Sequence, residues 1–280
     1  MIYLRLKEIL SDVSGLDAIP FERFKFPGGE NHIRLSTGDT NFNQDVTIES
    51  DGNVMELLLA TDALRRCGVV NIDLLLPYVP YARQDRVMVP GEPLSIKVYC
   101  DLINSQGFRK VFTLDNHSPV STALINNVVE ISSWRMLDIL FYGGDNIALF
   151  CPDAGAAKRV GAIGRAYSYP VIQCEKVRNL KTGEITGTKV RCGDMSGIDC
   201  YIIDDICDGG RTFIEIAKVL KTKNPRSINL YVSHGIFSKN LNVFEGLIDF
   251  VNTTILFNTM IRRRVNLEII PLKKSDIGAI

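Results

Sequence analysis

The sequence predicts an α/β protein built on parallel sheets, and three observations predict it. Short apolar runs alternate with longer amphipathic stretches along the chain, which is the rhythm of strand, crossover helix, strand. The apolar runs end abruptly, as NIDLLLPY (71–78) does at its proline, in the manner of buried strands. Finally, Asp115, His117, Asp153, Asp204, Asp205, Asp208 and His234 fall at or just past the carboxyl ends of such runs, the edge where open α/β sheets bind ligands.

Each element follows from local pattern. NVMELLLATDALRR (53–66) carries apolar side chains at 54, 55, 57, 58, 59 and 64 with Asp51 or Asn53 available as a cap, so it predicts an amphipathic helix. The strand of 71–78 comes next, then a helix at about 93–106 and a strand at 110–115. A strand at 147–153, a helix at about 155–167, a strand at 200–205, a helix at about 211–222 and a strand at 228–234 continue the order. A length of 280 residues suggests two domains at roughly 150 residues each.

Composition narrows the class. The chain is 46% hydrophobic and 23% charged, which sets aside coiled-coil, collagenous and disordered readings. Lys plus Arg and Asp plus Glu are both 32, so no surplus positive field gathers nucleic acid. No stretch reaches 18 apolar residues, and the start MIYLRLKEIL carries acid and base where a signal peptide needs an apolar core, so neither a membrane partner nor export is expected and the cytoplasm is. The seven cysteines, 67, 100, 151, 174, 192, 200 and 207, show no C-x-x-C spacing and are expected as reduced, buried thiols.

The most specific local signal is Tyr201 to Thr212, YIIDDICDGGRT: an apolar strand, two adjacent carboxylates, a third, and a glycine-rich turn into a helix. Such a turn aims backbone N–H groups and a helix N-terminus at an anion, while neighbouring carboxylates suit sugar hydroxyls or a hard cation. It resembles the phosphoribosyl-diphosphate loop of type I phosphoribosyltransferases and of phosphoribosyl diphosphate synthetases. FPGGE (26–30), PYVPYARQDR (77–86), TLDNH (113–117), CPDAG (151–155) and SHGIFS (233–238) each resemble a signature of the ribose-phosphate diphosphokinase family, in the family's order and over nearly the whole chain. The YARQDR run is highly specific to it. There is no G-x-x-x-x-G-K-[ST], which agrees with that resemblance.

The resemblance implies two type I phosphoribosyltransferase-like domains with parallel sheets, related by a pseudo-twofold axis with the active site at their junction. They would span 1–133, on the ATP side, and 134–267, on the ribose-phosphate side, with a tail of 268–280 returning to the first domain. It implies transfer of the β,γ-diphosphoryl group of ATP to the anomeric hydroxyl of ribose 5-phosphate. Phe26 and Glu30 would contact adenine from a neighbouring subunit, and Arg83, Gln84 and Arg86 would bind adenine and triphosphate. His117 and Asp153 resemble the family's Mg2+-associated pair, with Asp115 in support and His117 equally able to serve as a phosphate donor in the ATP site. Lys176 and Arg178, in a segment resembling the family's mobile loop, would stabilise the transition state, and the polar stretch 179–188 would act as a hinged lid.

In the acceptor site, Asp204 and Asp205 would hold the ribose hydroxyls and Asp208, Gly209, Gly210, Arg211 and Thr212 the 5-phosphate, with His234 as a positioning residue. A homo-oligomer built from dimers, up to a hexamer, is implied as well.

Three positions depart from the family pattern. Gly28 replaces the usual Asp, Val87 to Glu92 replaces a basic stretch, and Arg211 enters the phosphate loop. Arg211 suits a second phosphate, which makes ADP-ribose the alternative acceptor, giving ADP-ribose diphosphate for NAD synthesis. A non-catalytic regulatory homologue would not need Lys176, Arg178, His117 and Asp153 together, and a plain phosphoribosyltransferase would not need Arg83 to Arg86.

Overall fold

A computed structural model describes residues 1–13, 17–38, 40–141, 144–178, 185–257 and 265–278. The chain divides into two compact units, 1–133 with 271–280, and 134–270. Each has its own hydrophobic core.

In the first unit β1 (Ile2–Arg5), β4 (Val46–Glu49), β5 (Ile72–Leu75), β6 (Val111–Leu114) and β7 (Val128–Ile131) form a parallel sheet in the order β1-β4-β5-β6-β7. An antiparallel hairpin of β2 (Phe21–Lys25) and β3 (Asn31–Leu35) stands apart from it in pairing. Helix α1 (Val54–Arg66) forms where the periodicity predicts it: Asn53 is the cap, its Oδ1 accepting from the Glu56 N–H at 3.3 Å, while Asp51 accepts from the Asn53 N–H one step earlier. Leu57, Ala60, Thr61 and Leu64 are its buried stripe, and burying each leucine contributes about 1.5–3 kcal/mol. Helices α2 (Ser95–Asn104) and α3 (Pro119–Leu124) complete the crossovers, α3 capped by Ser118 with proline at its first position.

The second unit opens with α4 (Trp134–Phe141) and contains β8 (Ile147–Cys151), α5 (Ala157–Tyr167), β9 (Val171–Arg178), β10 (Ile185–Val190), β11 (Asp199–Cys207), α6 (Arg211–Lys221), β12 (Ser227–Gly235), β13 (Phe250–Leu256) and β14 (Asn266–Ile269). Its sheet runs β10-β9-β8-β11-β12-β13-β14. Every neighbour is parallel except β9 with β10 at one edge. Helix α6 buries Phe213, Ile216, Ala217 and Leu220, again at helical spacing.

Residues 271–278, ending in α7 (Lys274–Gly278), belong to the first unit. Leu272 bridges to Leu10, the Ser11 N–H donates to the Leu272 carbonyl at 2.9 Å, and Lys274 pairs with Asp17 at 2.9 Å.

Two expectations change. The strands at 110–115 and 147–153 were expected with nothing between them, yet α3, β7 and α4 intervene, elements of four to eight residues too short to show a period. The segment from Gln173, expected as a loop, is strand as far as Arg178 and pairs antiparallel with β10. Its alternation of Ile172 and Cys174 inward with Val171, Gln173 and Glu175 exposed is the period of a half-buried strand. Residues 185–188 of the expected lid lie in β10, and 179–184 lie outside the described residues.

Candidate active site

In the first unit the candidate ATP residues sit on three loops. The hairpin tip is closed by the Phe26 N–H on the Glu30 carbonyl and the Gly29 N–H on the Phe26 carbonyl, both at 2.9 Å. Phe26 is 48% exposed, so it is not a core residue. It packs edge-on against Phe24 with centroids 5.4 Å apart and lies 5.5 Å from the His32 ring, which gives the tip an aromatic surface. Glu30 is exposed beside it. A Cβ at Gly28 would meet only the exposed end of the Glu30 side chain, which is free to shift, so nothing in the structure requires glycine there. A groove of about 410 Å³ opens at the flank of the hairpin toward α1, lined by Arg23, Lys25, His32 and Glu56 among others, and it does not include Phe26 or Glu30.

Arg83, Gln84 and Arg86 are exposed on the turn after β5, entered through Tyr81, whose φ of 64° is strained for a bulky residue. Asp85, between them, organises the turn. Its carboxylate accepts from Arg86 Nε at 2.9 Å and Nη2 at 3.3 Å, and from Ser118 Oγ at 2.8 Å. Those hydrogen bonds, with a smaller pull from His117, hold the Asp85 carboxyl below the usual range. Asp85 therefore ties the arginine turn to the loop that carries exposed His117. In the sequence, an acid among three polar neighbours carries the signal of a solvated residue and nothing that marks this role. Asp115 is buried, with φ 45°, and its Oδ1 accepts from the Ser133 N–H at 3.3 Å.

In the second unit the carboxyl edge of the sheet gathers the rest. Asp153 follows β8, and its Oδ1 accepts from the N–H groups of Gly155 at 2.9 Å and Ala156 at 3.2 Å, which fixes the turn leading into α5. Six residues on, α5 presents Arg159, whose Nη1 lies 3.6 Å from Asp204 Oδ1 and 3.7 Å from Asp205 Oδ1. The three side chains are 18%, 17% and 7% exposed. The Asp205 N–H donates to Asp204 Oδ1 at 2.9 Å. Burial, and then the adjacent Asp205 charge, push the Asp204 carboxyl well above the ordinary range, while Arg159 opposes them. The sequence carries no local signal for Arg159, since its contacts are with two acids of β11.

Gly210 caps α6 with φ 77°, and a Cβ there would meet Phe244 Cζ at 2.6 Å, so glycine is required on two counts. Asp208, Gly209 and Gly210 lead into the first turn of α6, where Arg211 is exposed and Thr212 half-buried. His234 is 2% exposed on β12, opposite Ile206 and one register step past Asp205. The backbone of β9 runs past β8: Gln173 pairs with Cys151, so Lys176 and Arg178 stand three and five residues further along, with Lys176 opposite Thr188 of β10.

The expected metal pair does not assemble within either unit, since His117 belongs to the first and Asp153 to the second. Among the described residues no cluster of three or more His, Cys, Asp or Glu side chains is gathered for a metal. The donor chemistry does suit magnesium at Asp153, a half-buried carboxylate, since magnesium takes oxygen ligands and keeps several waters.

This geometry defines a class first: an α/β protein with a strand, paired carboxylates and a glycine turn opening a helix, and residues 121–245 match the model of the phosphoribosyl transferase domain. Residues 5–107 match the N-terminal domain of ribose phosphate pyrophosphokinase. The chain is 31% identical over 247 residues to a ribose-phosphate pyrophosphokinase of Mycoplasmopsis pulmonis, covering 84% of this chain and 75% of that one. A ribose-phosphate pyrophosphokinase of Agrobacterium fabrum is 33% identical over 207 residues, 70% of this chain and 64% of that one. The fold is similar to that of phosphoribosylpyrophosphate synthetase from Mycobacterium smegmatis, with a TM-score of 0.74, 21% identity, and coverage of 94% and 88%. The chain belongs to the ribose-phosphate pyrophosphokinase family. The names of these relatives give an ADP-ribose acceptor no support.

Among the described residues no helix is long and apolar enough to cross a membrane.

Proposed function

We propose that the protein transfers the β,γ-diphosphoryl group of ATP to the anomeric hydroxyl of ribose 5-phosphate, forming phosphoribosyl diphosphate and releasing AMP. The observation that carries this reading is the buried Asp204 and Asp205 pair directly ahead of the Gly210 turn and the α6 N-terminus, in a chain of this family. The carboxylates accept from the ribose 2- and 3-hydroxyls. The turn of 208–212 and the first N–H groups of α6 take the 5-phosphate.

On the ATP side Phe26 stacks on adenine and Glu30 accepts from its amino group, reaching across a subunit boundary in a dimer-based homo-oligomer. Arg83, Gln84 and Arg86 bind adenine and the triphosphate, and Asp85 fixes Arg86. Asp153 would hold Mg2+, with His117 at the diphosphoryl oxygens, and the ion when bound screens those oxygens against the incoming hydroxyl. Lys176 and Arg178 balance charge that develops around the β-phosphorus and on the AMP leaving oxygen. The seven free thiols suit a reducing, cytoplasmic setting.

The test is AMP release from ATP and Mg2+ with each candidate sugar. Ribose 5-phosphate should support turnover and ADP-ribose should not. Turnover with ADP-ribose alone would replace the acceptor, and ADP as the nucleotide product would remove the proposed reaction.

A further inference from the structure

We propose that Arg159 is the positioning residue of the acceptor site: its guanidinium neutralises and aligns the Asp204 and Asp205 carboxylates, so that both accept hydrogen bonds from neighbouring ribose hydroxyls. This rests on the acceptor reading above and assigns a role to a residue outside the motifs that suggested it.

Two carboxylates on adjacent residues of one strand, 17% and 7% exposed, repel one another and lose hydration on folding. A pair left to itself turns its oxygens apart or shares a proton, and either change removes an acceptor for the sugar. Arg159 opposes both. One nitrogen, Nη1, lies nearly equidistant from Oδ1 of each acid, at 3.6 and 3.7 Å, so the two Oδ1 atoms converge on a single positive point.

The guanidinium is held from behind by rigid structure. Helix α5 is anchored by buried Val160 and Ile163 and follows directly on the turn that the Asp153 carboxylate holds through the N–H groups of Gly155 and Ala156. The β8 turn that delivers Asp153 thus also delivers the counter-charge for the acids on β11. At these distances the contact is electrostatic and not a two-pronged hydrogen bond, so a lysine at this position preserves it.

The experiment compares wild type, Arg159→Gln and Arg159→Lys in steady-state kinetics, with thermal melting as a check on folding. In Arg159→Gln the KM for ribose 5-phosphate should rise on the order of 10- to 100-fold, the effect of weakened hydrogen bonds to charged groups, while the KM for ATP stays within about threefold. Arg159→Lys should return the ribose 5-phosphate KM to within about threefold of wild type. A ribose 5-phosphate KM unchanged in Arg159→Gln, or equal losses for both substrates, would overturn the inference. Should Arg159→Gln fail to fold, the lysine variant decides alone: a tenfold or larger rise in that KM overturns it. Wild-type protein that forms no AMP with ribose 5-phosphate would instead overturn the proposed reaction, so the two failures are distinct.

Discussion

Burial raises the Asp204 carboxyl and the Asp205 charge raises it further. A carboxyl whose folded-state pKa lies above its unfolded value favours the fold while protonated, and that contribution is lost as pH rises from the unfolded value through the folded one. Ionising the pair therefore costs stability, and the acceptor chemistry is what it serves. Asp204→Asn should raise the melting temperature, by more at pH 8 than at pH 4, while sharply reducing turnover. A melting temperature that falls at both pH values would show that the pair holds the fold together. Phe26 carries the opposite expectation: since it is exposed, Phe26→Ala should leave melting unchanged and weaken ATP binding by about 1–3 kcal/mol, read by calorimetry. Loss of solubility in that variant would make Phe26 a structural residue. For Lys176→Ala, kcat should fall on the order of 10²-fold with a much smaller change in the KM for ATP. A change confined to KM would assign Lys176 to binding.

Among the elements, the turn into α6 is the one whose geometry is fixed most tightly. Gly210→Ala places a methyl group at a φ of 77° and against the Phe244 ring, so it should cost stability by about 1–3 kcal/mol and raise the KM for ribose 5-phosphate. Urea melts with the kinetics check this, and a variant as stable as wild type would mean the turn relaxes freely. Helices α1 and α6 were legible because thirteen and eleven residues, respectively, show a full apolar stripe. β1, β4 and β7, at four residues each, were not, being too short to show a period of their own. The segment from Gln173 is a readable strand, since its alternation of inward and exposed side chains has the strand period even though the motif resembles a loop. Asp85 and Arg159 were illegible as site residues because their importance lies in what they touch, Ser118 and Arg86 in one case and two acids from another strand in the other.

For the whole molecule, the α/β class and the parallel sheets followed from alternation alone, and the family from motifs spread from 26 to 238. The same fastening recurs at the amino edge of each sheet. Arg109 grips Asp73 through Nε at 2.9 Å and Nη2 at 2.7 Å in the first unit, and Arg226 grips Asp199 in the second. These clamps lie at the end of the strands away from the candidate site. The central claim is the transfer of a diphosphoryl group, and phosphorus NMR of a reaction of ATP, Mg2+ and ribose 5-phosphate tests it directly. The proposal predicts AMP and a sugar 1-diphosphate appearing in equal amounts; ADP with a sugar monophosphate, or no change in ATP, would contradict it.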